Sequence, residues 1–118
     1  MGDSFKDLAV WQRAIQLTVA VYKLTSSFPT TEQFGLSSQL RRASVSVASN
    51  IAEGYGRSTT GEYLQFLGHA RGSNCEVQTQ LIISKELEFG SEQLRQQAES
   101  LSGEVSKMLV TVMNKLGK

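Results

Sequence analysis

Apolar residues recur every three or four positions through most of this chain, and residues that end helices separate four such runs. Side chains with this spacing lie on one side of an α-helix. Pro29 and Gly35 bound the first interruption, Gly54 and Gly56 mark the C-terminal end of the second run, and Gly90 marks the third interruption. The pattern predicts helices at about 4–28, 36–57, 60–88 and 92–116. Short links between such helices favour an all-α, antiparallel up-down-up-down four-helix bundle, as a single domain over residues 1–118.

Charge and composition limit the functions that such a bundle can have. The 12 basic and 11 acidic residues give a formal net charge of +1, so the strongly basic surface of a typical nucleic-acid clamp is not indicated, although a local patch is compatible with this total. Cys75 has no intrachain disulfide partner, and Cys75 and His69 alone fall short of a structural zinc site. We recognise neither a phosphate-binding loop nor a nucleophile with its base, so we expect no metal, no cofactor, no catalytic residue and no enzymatic activity. No apolar run begins the sequence, which predicts a cytoplasmic protein with no membrane partner.

Polar residues on the second helix are predicted to face polar residues on the third. In a helical hairpin, the position numbers of facing residues have a nearly constant sum. That rule predicts the pairs Arg57 with Glu62, Asn50 with His69, Ser46 with Ser73, Gln39 with Gln80, and Arg42 with Glu76. The predicted structural polar seam consists of Gln39, Arg42, Asn50, Glu53, Arg57, Glu62, His69 and Glu76. In it, Arg42 and Glu76 form an ion pair, and Asn50 is satisfied by His69 or by a backbone carbonyl.

A ligand or catalytic site is the alternative interpretation of the same residues. It would draw an acid, a base and an anion clamp from Arg42, Asn50, Glu53, His69 and Glu76. The seam interpretation predicts that Arg42→Ala severely lowers thermal stability, because removing one partner leaves the other charge unpaired. Unchanged melting would contradict it.

Small residues on the second helix suggest that a further helix packs against it. Ser38, Ser44, Ala48, Ser49 and Ala52 lie away from the polar row. A symmetric oligomer would supply the extra helix, and a tightly packed monomer is the alternative. The third helix contains Gly68 and Gly72, and each lowers helix stability by about 1 kcal/mol relative to alanine. We therefore expect another backbone to approach these glycines closely.

Four stretches of the sequence resemble one known family. They are FKDLAVWQRAIQLTVAVYKLT, the FP at 28–29 with Glu32 and the GL at 35–36, QLRRASVSVASNIAEGYGR, and EYLQFLGHARGSNCEVQT. These stretches resemble the 23S ribosomal-RNA intervening-sequence proteins, also called the four helix bundle protein family, most specifically at NIAEG and GSNCE. The resemblance implies a four-helix bundle that assembles as a homopentamer. The family is also similar to the accessory variability determinant of diversity-generating retroelements, a basic pentamer that binds a reverse transcriptase and nucleic acid.

Two hypotheses for function follow, and an enzyme is a third that no motif supports. The first is a nucleic-acid-associated accessory protein, in which an oligomer repeats a weak basic patch on each subunit and binds RNA or DNA. Lys6, Arg13 and Lys23, on the polar face of the first helix, are the candidate contacts, and ordinary solvation is the alternative explanation of that face. The second is a protein-binding scaffold whose ring organises a protein partner without contacting nucleic acid.

Overall fold

The computed structural model describes residues 4–117, and within that range all regular structure is helical. Its four α-helices are α1 (Ala9–Thr25), α2 (Leu36–Tyr55), α3 (Thr60–Glu86) and α4 (Glu92–Leu116). Short 3-10 turns at Phe5–Asp7 and Thr30–Glu32 precede α1 and α2. The helices form a rod measuring 43 × 23 × 22 Å. The prediction of an all-α four-helix bundle is confirmed.

Each helix packs against two neighbours, in the closed order α1–α2, α2–α3, α3–α4 and α4–α1. The largest fully buried side chains come from all four helices and are aliphatic: Leu17, Leu24, Leu40, Ile51, Leu67, Leu81 and Leu109. Burying one such side chain contributes about 1.5–3 kcal/mol relative to leaving it in water. The amphipathic stripes of the sequence therefore meet along the axis of the bundle.

The ends of α1 differ from the sequence prediction, which began the first helix near residue 4 and ended it near residue 28. The hydroxyl of Ser4 accepts a hydrogen bond from the Lys6 backbone N–H at 3.1 Å and caps the short 3-10 turn instead. Leu8 is extended, with φ −74° and ψ 124°, so the α-helix begins only at Ala9. At the other end, the Ser27 hydroxyl donates to the Leu24 carbonyl at 2.7 Å, and the helix stops at Thr25.

The turn between α3 and α4 also ends α3 earlier than predicted. Glu88 adopts a left-handed conformation with φ 58°. Its N–H donates to the Lys85 carbonyl at 3.0 Å, and the Phe89 N–H donates to the Ser84 carbonyl at 2.9 Å, the two bonds of a Schellman motif. Such motifs usually place glycine at the left-handed position, so the glutamate gave no sequence signal for this stop.

A buried polar pair joins α3 to α4 inside the core. The Asn74 amide nitrogen donates to the Ser102 carbonyl at 3.0 Å, and the Ser102 hydroxyl donates to the Asn74 amide oxygen at 2.7 Å. Asn74 is 2% exposed and Ser102 is fully buried. Buried polar groups are stable when they are hydrogen-bonded to one another, and these two satisfy each other.

Candidate functional site

The part of the α2–α3 seam nearest the link between these two helices forms largely the pairs that the facing-pair rule predicts. Arg57, which follows α2, bridges two carboxylates, at 3.2 Å from Glu53 and 3.3 Å from Glu62. Further along, the Ser46 and Ser73 hydroxyls are hydrogen-bonded at 2.9 Å. All three ionic side chains are 38–53% exposed, so water screens both ion pairs and each contributes little to stability.

Asn50 and His69 face each other in the sequence rule but do not bond to each other. The Asn50 amide nitrogen donates to the Ser46 carbonyl at 2.8 Å and to the Ser46 hydroxyl at 2.9 Å, which is the backbone alternative of the prediction. The exposed His69 ring packs edge-on against Phe66, with ring centroids 5.7 Å apart. Within residues 4–117, no hydrogen bond or ion pair joins His69 to an acidic or basic side chain, so the arrangement lends the catalytic alternative no support.

Two titrating groups near the start of α3 have shifted pKa values. The Thr59 hydroxyl, at 3.2 Å from the carboxylate, and then Arg57 lower the pKa of Glu62 below its ordinary value of 4.5. Burial raises the pKa of Tyr63, and the neighbouring Tyr55 adds to that rise. The Glu62 backbone N–H also donates to the Thr59 hydroxyl at 3.1 Å, so the two residues form the capping box of α3.

Arg42 and Glu76, the central ion pair of the predicted seam, do not pair. Within the described part of the chain, neither side chain has an ion pair or a hydrogen bond. Both are exposed, so water solvates each charge without a partner. The prediction of a salt bridge between them was wrong, and because neither charge is buried, Arg42→Ala should change melting only slightly.

These two residues instead line an open cleft of about 470 Å³ between α2 and α3. Gln39 and Gln80 lie in the same cleft, and Phe34 lines its upper end. We call this site the α2–α3 cleft. The sequence interpretation missed Phe34, which is 90% exposed, although an aromatic residue in a link of polar residues and glycine was an available signal.

The predicted basic contacts do not form one continuous patch. Lys6 lies on the 3-10 turn before α1 and therefore not on a shared helical face with the other two. Arg13 forms an ion pair with Glu104 of α4, with Nε 2.8 Å from the carboxylate, and also donates to Gln16 at 2.8 Å. Lys23 is exposed near the end of α1. The carboxylate of Glu104 offsets the charge of Arg13, which weakens this surface as a phosphate contact.

An apolar surface lies where α1 and α2 meet. We call it the α1–α2 face, and it comprises Trp11, Ile15, Val19, Tyr22, Val45, Ala48, Ser49 and Ala52. Four of its large side chains are 38–49% exposed. The small residues of α2 leave a hollow of about 260 Å³ between them and Trp11.

Arg41 fixes the upper end of this face, and sequence reasoning missed its role. Its Nε donates to the Thr25 hydroxyl at 2.7 Å, and its guanidinium lies 4.5 Å from the centroid of the Tyr22 ring. The side chain thereby holds the end of α1 against α2.

Within one chain, no other backbone comes close to Gly68 and Gly72 of α3, contrary to the sequence prediction. Apart from its chain neighbours and the nearby backbone of α3 itself, a methyl group added at either position meets no atom of residues 4–117 within 4 Å. The close approach occurs at Gly54 of the NIAEG segment instead, where an added Cβ would lie 2.8 Å from the Phe66 Cβ. The α2–α3 packing therefore requires glycine at position 54.

Comparison with known families and structures identifies the protein family of this chain. A family model described as 23S rRNA-intervening sequence protein matches residues 6–111. The chain belongs to this family. A crystal structure of a protein of unknown function from the S23 ribosomal protein family of Bacteroides thetaiotaomicron VPI-5482 is similar to this intervening-sequence family member, with a TM-score of 0.80 and 21% identity. The match covers 89% of this chain and 98% of that one, and at this identity it supports the fold alone.

A comparison with curated proteins found no match to this intervening-sequence family member. Within residues 4–117, no helix is long and apolar enough to cross a membrane. The same residues contain no group of three or more histidine, cysteine, aspartate or glutamate side chains placed to hold a metal ion.

Proposed function

We propose that this intervening-sequence family member is a non-enzymatic protein that assembles with copies of itself through the α1–α2 face. The observation that carries the proposal is the exposure of Ile15, Val19, Tyr22 and Val45 around a floor of small residues. Small side chains let a second helix approach closely, and contiguous apolar surface of this kind is typical of protein interfaces. None of the eight residues that define the face is charged, and the guanidinium of Arg41 at its end already packs on Tyr22, so a second copy would bury no unpaired charge among them.

The resemblance to the family implies five copies in the assembly. In a ring, each chain contacts one neighbour through one surface and the other neighbour through a second, different surface. We propose the α1–α2 face as one of these two surfaces. A pentamer has the mass of five 13.0 kDa chains, which analytical ultracentrifugation distinguishes from smaller assemblies.

A charge placed on the α1–α2 face tests the proposal. We expect Val45→Glu to weaken self-association by more than about 100-fold, because a buried unpaired charge opposes association by several kcal/mol. Ile82→Glu is the matched control, since Ile82 lies on α3 and is 59% exposed. A monomeric wild-type chain at micromolar concentration, or equal dissociation of both variants, would overturn the proposed interface.

We propose further that the assembly associates with nucleic acid as an accessory protein. The observation that favours this role is that an exposed aromatic ring, Phe34, lines the same cleft as the guanidinium of Arg42, which forms no ion pair within residues 4–117. Single-stranded nucleic acids bind to surfaces that combine stacking rings with cations. Repetition of the surface in a ring would compensate for the small net charge of each chain. Lys6, Arg13 and Lys23 stay candidate phosphate contacts.

Fluorescence anisotropy with labelled RNA and DNA, at salt concentrations from about 50 to 200 mM, tests this association. We expect affinity to fall steeply with salt, and Lys23→Glu to weaken binding more than Arg13→Glu, because Glu104 already offsets the charge of Arg13. No binding at low salt would exclude the accessory role. A salt-insensitive complex with a protein, free of nucleic acid, would favour the scaffold alternative, in which the assembly contacts a protein partner only.

A further inference from the structure

The α2–α3 cleft differs from the rest of the seam because water, and not another side chain, solvates its exposed polar groups. Below it, Ser46 bonds to Ser73, and Arg57 bonds to two carboxylates. In the cleft, within the part of the chain that the structure describes, the side chains of Gln39, Arg42 and Glu76 have no hydrogen-bond or ion-pair partner.

Gln80 adds the second observation. Its amide oxygen is shielded from solvent, yet no donor in residues 4–117 bonds to it. Buried acceptors of this kind are rare in folded proteins and call for a missing donor. A rotation of the Gln80 side chain toward the cleft would expose this oxygen to a donor there.

The size of the cleft suits a small molecule or one nucleotide unit. Its volume of about 470 Å³ lies within the range of ligand sites, which is roughly 300–1,000 Å³. The cleft presents one forked cation, one carboxylate, two amides and one phenyl ring.

We propose that the α2–α3 cleft binds guanine. Guanine carries two adjacent acceptors, O6 and N7, which match the fork of an arginine such as Arg42. Its Watson–Crick edge carries N–H donors at N1 and N2, which a carboxylate such as that of Glu76 accepts. Phe34 supplies a flat apolar surface on which the base stacks. Adenine has a donor where guanine has O6, so it would place an N–H group against the donors of Arg42.

The guanine has two sources, a free nucleotide or a base within single-stranded RNA. The second source rests on the proposed association with nucleic acid, and the first does not. Isothermal titration of the full-length chain with guanosine monophosphate and adenosine monophosphate tests the first source. Anisotropy with labelled UUGUU and UUAUU pentaribonucleotides tests the second.

In at least one of these two experiments, we expect the affinity for guanine to exceed that for adenine by about 10- to 100-fold, as for a good bidentate base contact. Glu76→Gln should reduce this preference by about tenfold, and Arg42→Met should do the same. Phe34→Ser should weaken the binding of both bases by about tenfold. The control variants are Glu86→Gln and Arg71→Met, at exposed positions of α3 outside the cleft, and they should bind as the wild type does.

The outcomes separate the two proposals. Equal binding of guanine and adenine, no binding of any probe at millimolar concentration, or equal losses in the cleft and control variants would overturn the guanine site. Salt-dependent RNA binding with no base preference would overturn the guanine site and leave the proposed accessory role standing. Preferential binding of guanosine monophosphate with no RNA binding would support the site and overturn the accessory role. Melting curves would verify that all variants fold, since the changed residues are exposed.

Discussion

Replacing glycine with alanine at two helical positions should change stability in opposite directions. At Gly54, a new methyl carbon would lie 2.8 Å from the Phe66 Cβ, 3.0 Å from the Tyr63 Cδ1 and 3.2 Å from the Tyr63 carbonyl oxygen. Since two of these atoms are a Cβ and a backbone oxygen of α3, the clash can be relieved only if the two helices separate. At Gly72, the same methyl group meets no atom of another described helix within 4 Å.

The magnitudes follow from two opposing terms. Alanine is favoured over glycine inside a helix by about 1 kcal/mol. Overpacking a tight contact destabilises a protein by about 1–3 kcal/mol, and the three contacts at Gly54 place it near the upper end. We therefore expect Gly54→Ala to lower the free energy of unfolding by about 2 kcal/mol, and Gly72→Ala to raise it by about 0.5–1 kcal/mol.

Thermal melting followed by circular dichroism measures both changes. For a chain of 118 residues, 1 kcal/mol corresponds to a shift in Tm of about 4 °C. The variants must be compared at equal protein concentration, because self-association also stabilises the folded state. A Gly54→Ala variant as stable as the wild type would refute the packing argument. A destabilised Gly72→Ala variant would mean that another copy packs against α3 there.

Two further predictions concern buried and charged contacts. Asn74→Ala should lower the free energy of unfolding by about 2–3 kcal/mol, and a double-mutant cycle with Ser102→Ala in chemical denaturation should give a coupling of about 1 kcal/mol; additive losses would contradict the bonded pair. Glu62→Gln should be less stable than the wild type at neutral pH, because Thr59 and Arg57 lower the pKa of Glu62 in the folded state. This difference should vanish as the pH falls through that pKa, and a difference that persists in acid would contradict it.

The helices could be predicted because the period of apolar residues and the breaking residues Pro29 and Gly90 depend only on local geometry. Helix ends were less predictable, because they depend on competing hydrogen bonds. Leu8 continues the apolar pattern, yet the Ser4 hydroxyl caps a 3-10 turn just before it. Pattern alone does not decide such a competition.

The polar seam illustrates a second limit. The facing-pair rule works for Arg57 and Glu62 because they stand close to the turn that joins α2 to α3, where the geometry allows few alternatives. For Arg42 and Glu76, both long and exposed, spacing does not determine the side-chain conformation, and water competes for each charge. Asn74 was overlooked, although a polar residue inside an apolar stripe that includes Val77 is a detectable signal of a buried hydrogen bond.

The buried bond between Asn74 and Ser102 also limits slippage of α4 along α3. The apolar positions of α4 repeat in steps of four and three, so a slide of one seven-residue unit would return similar side chains to equivalent places. The same slide would move Ser102 about 10 Å along the axis. It would leave the Asn74 amide buried in the core without its hydrogen-bond partner. Hydrophobic burial alone tolerates several alignments of these helices, and this one pair of small polar side chains selects among them.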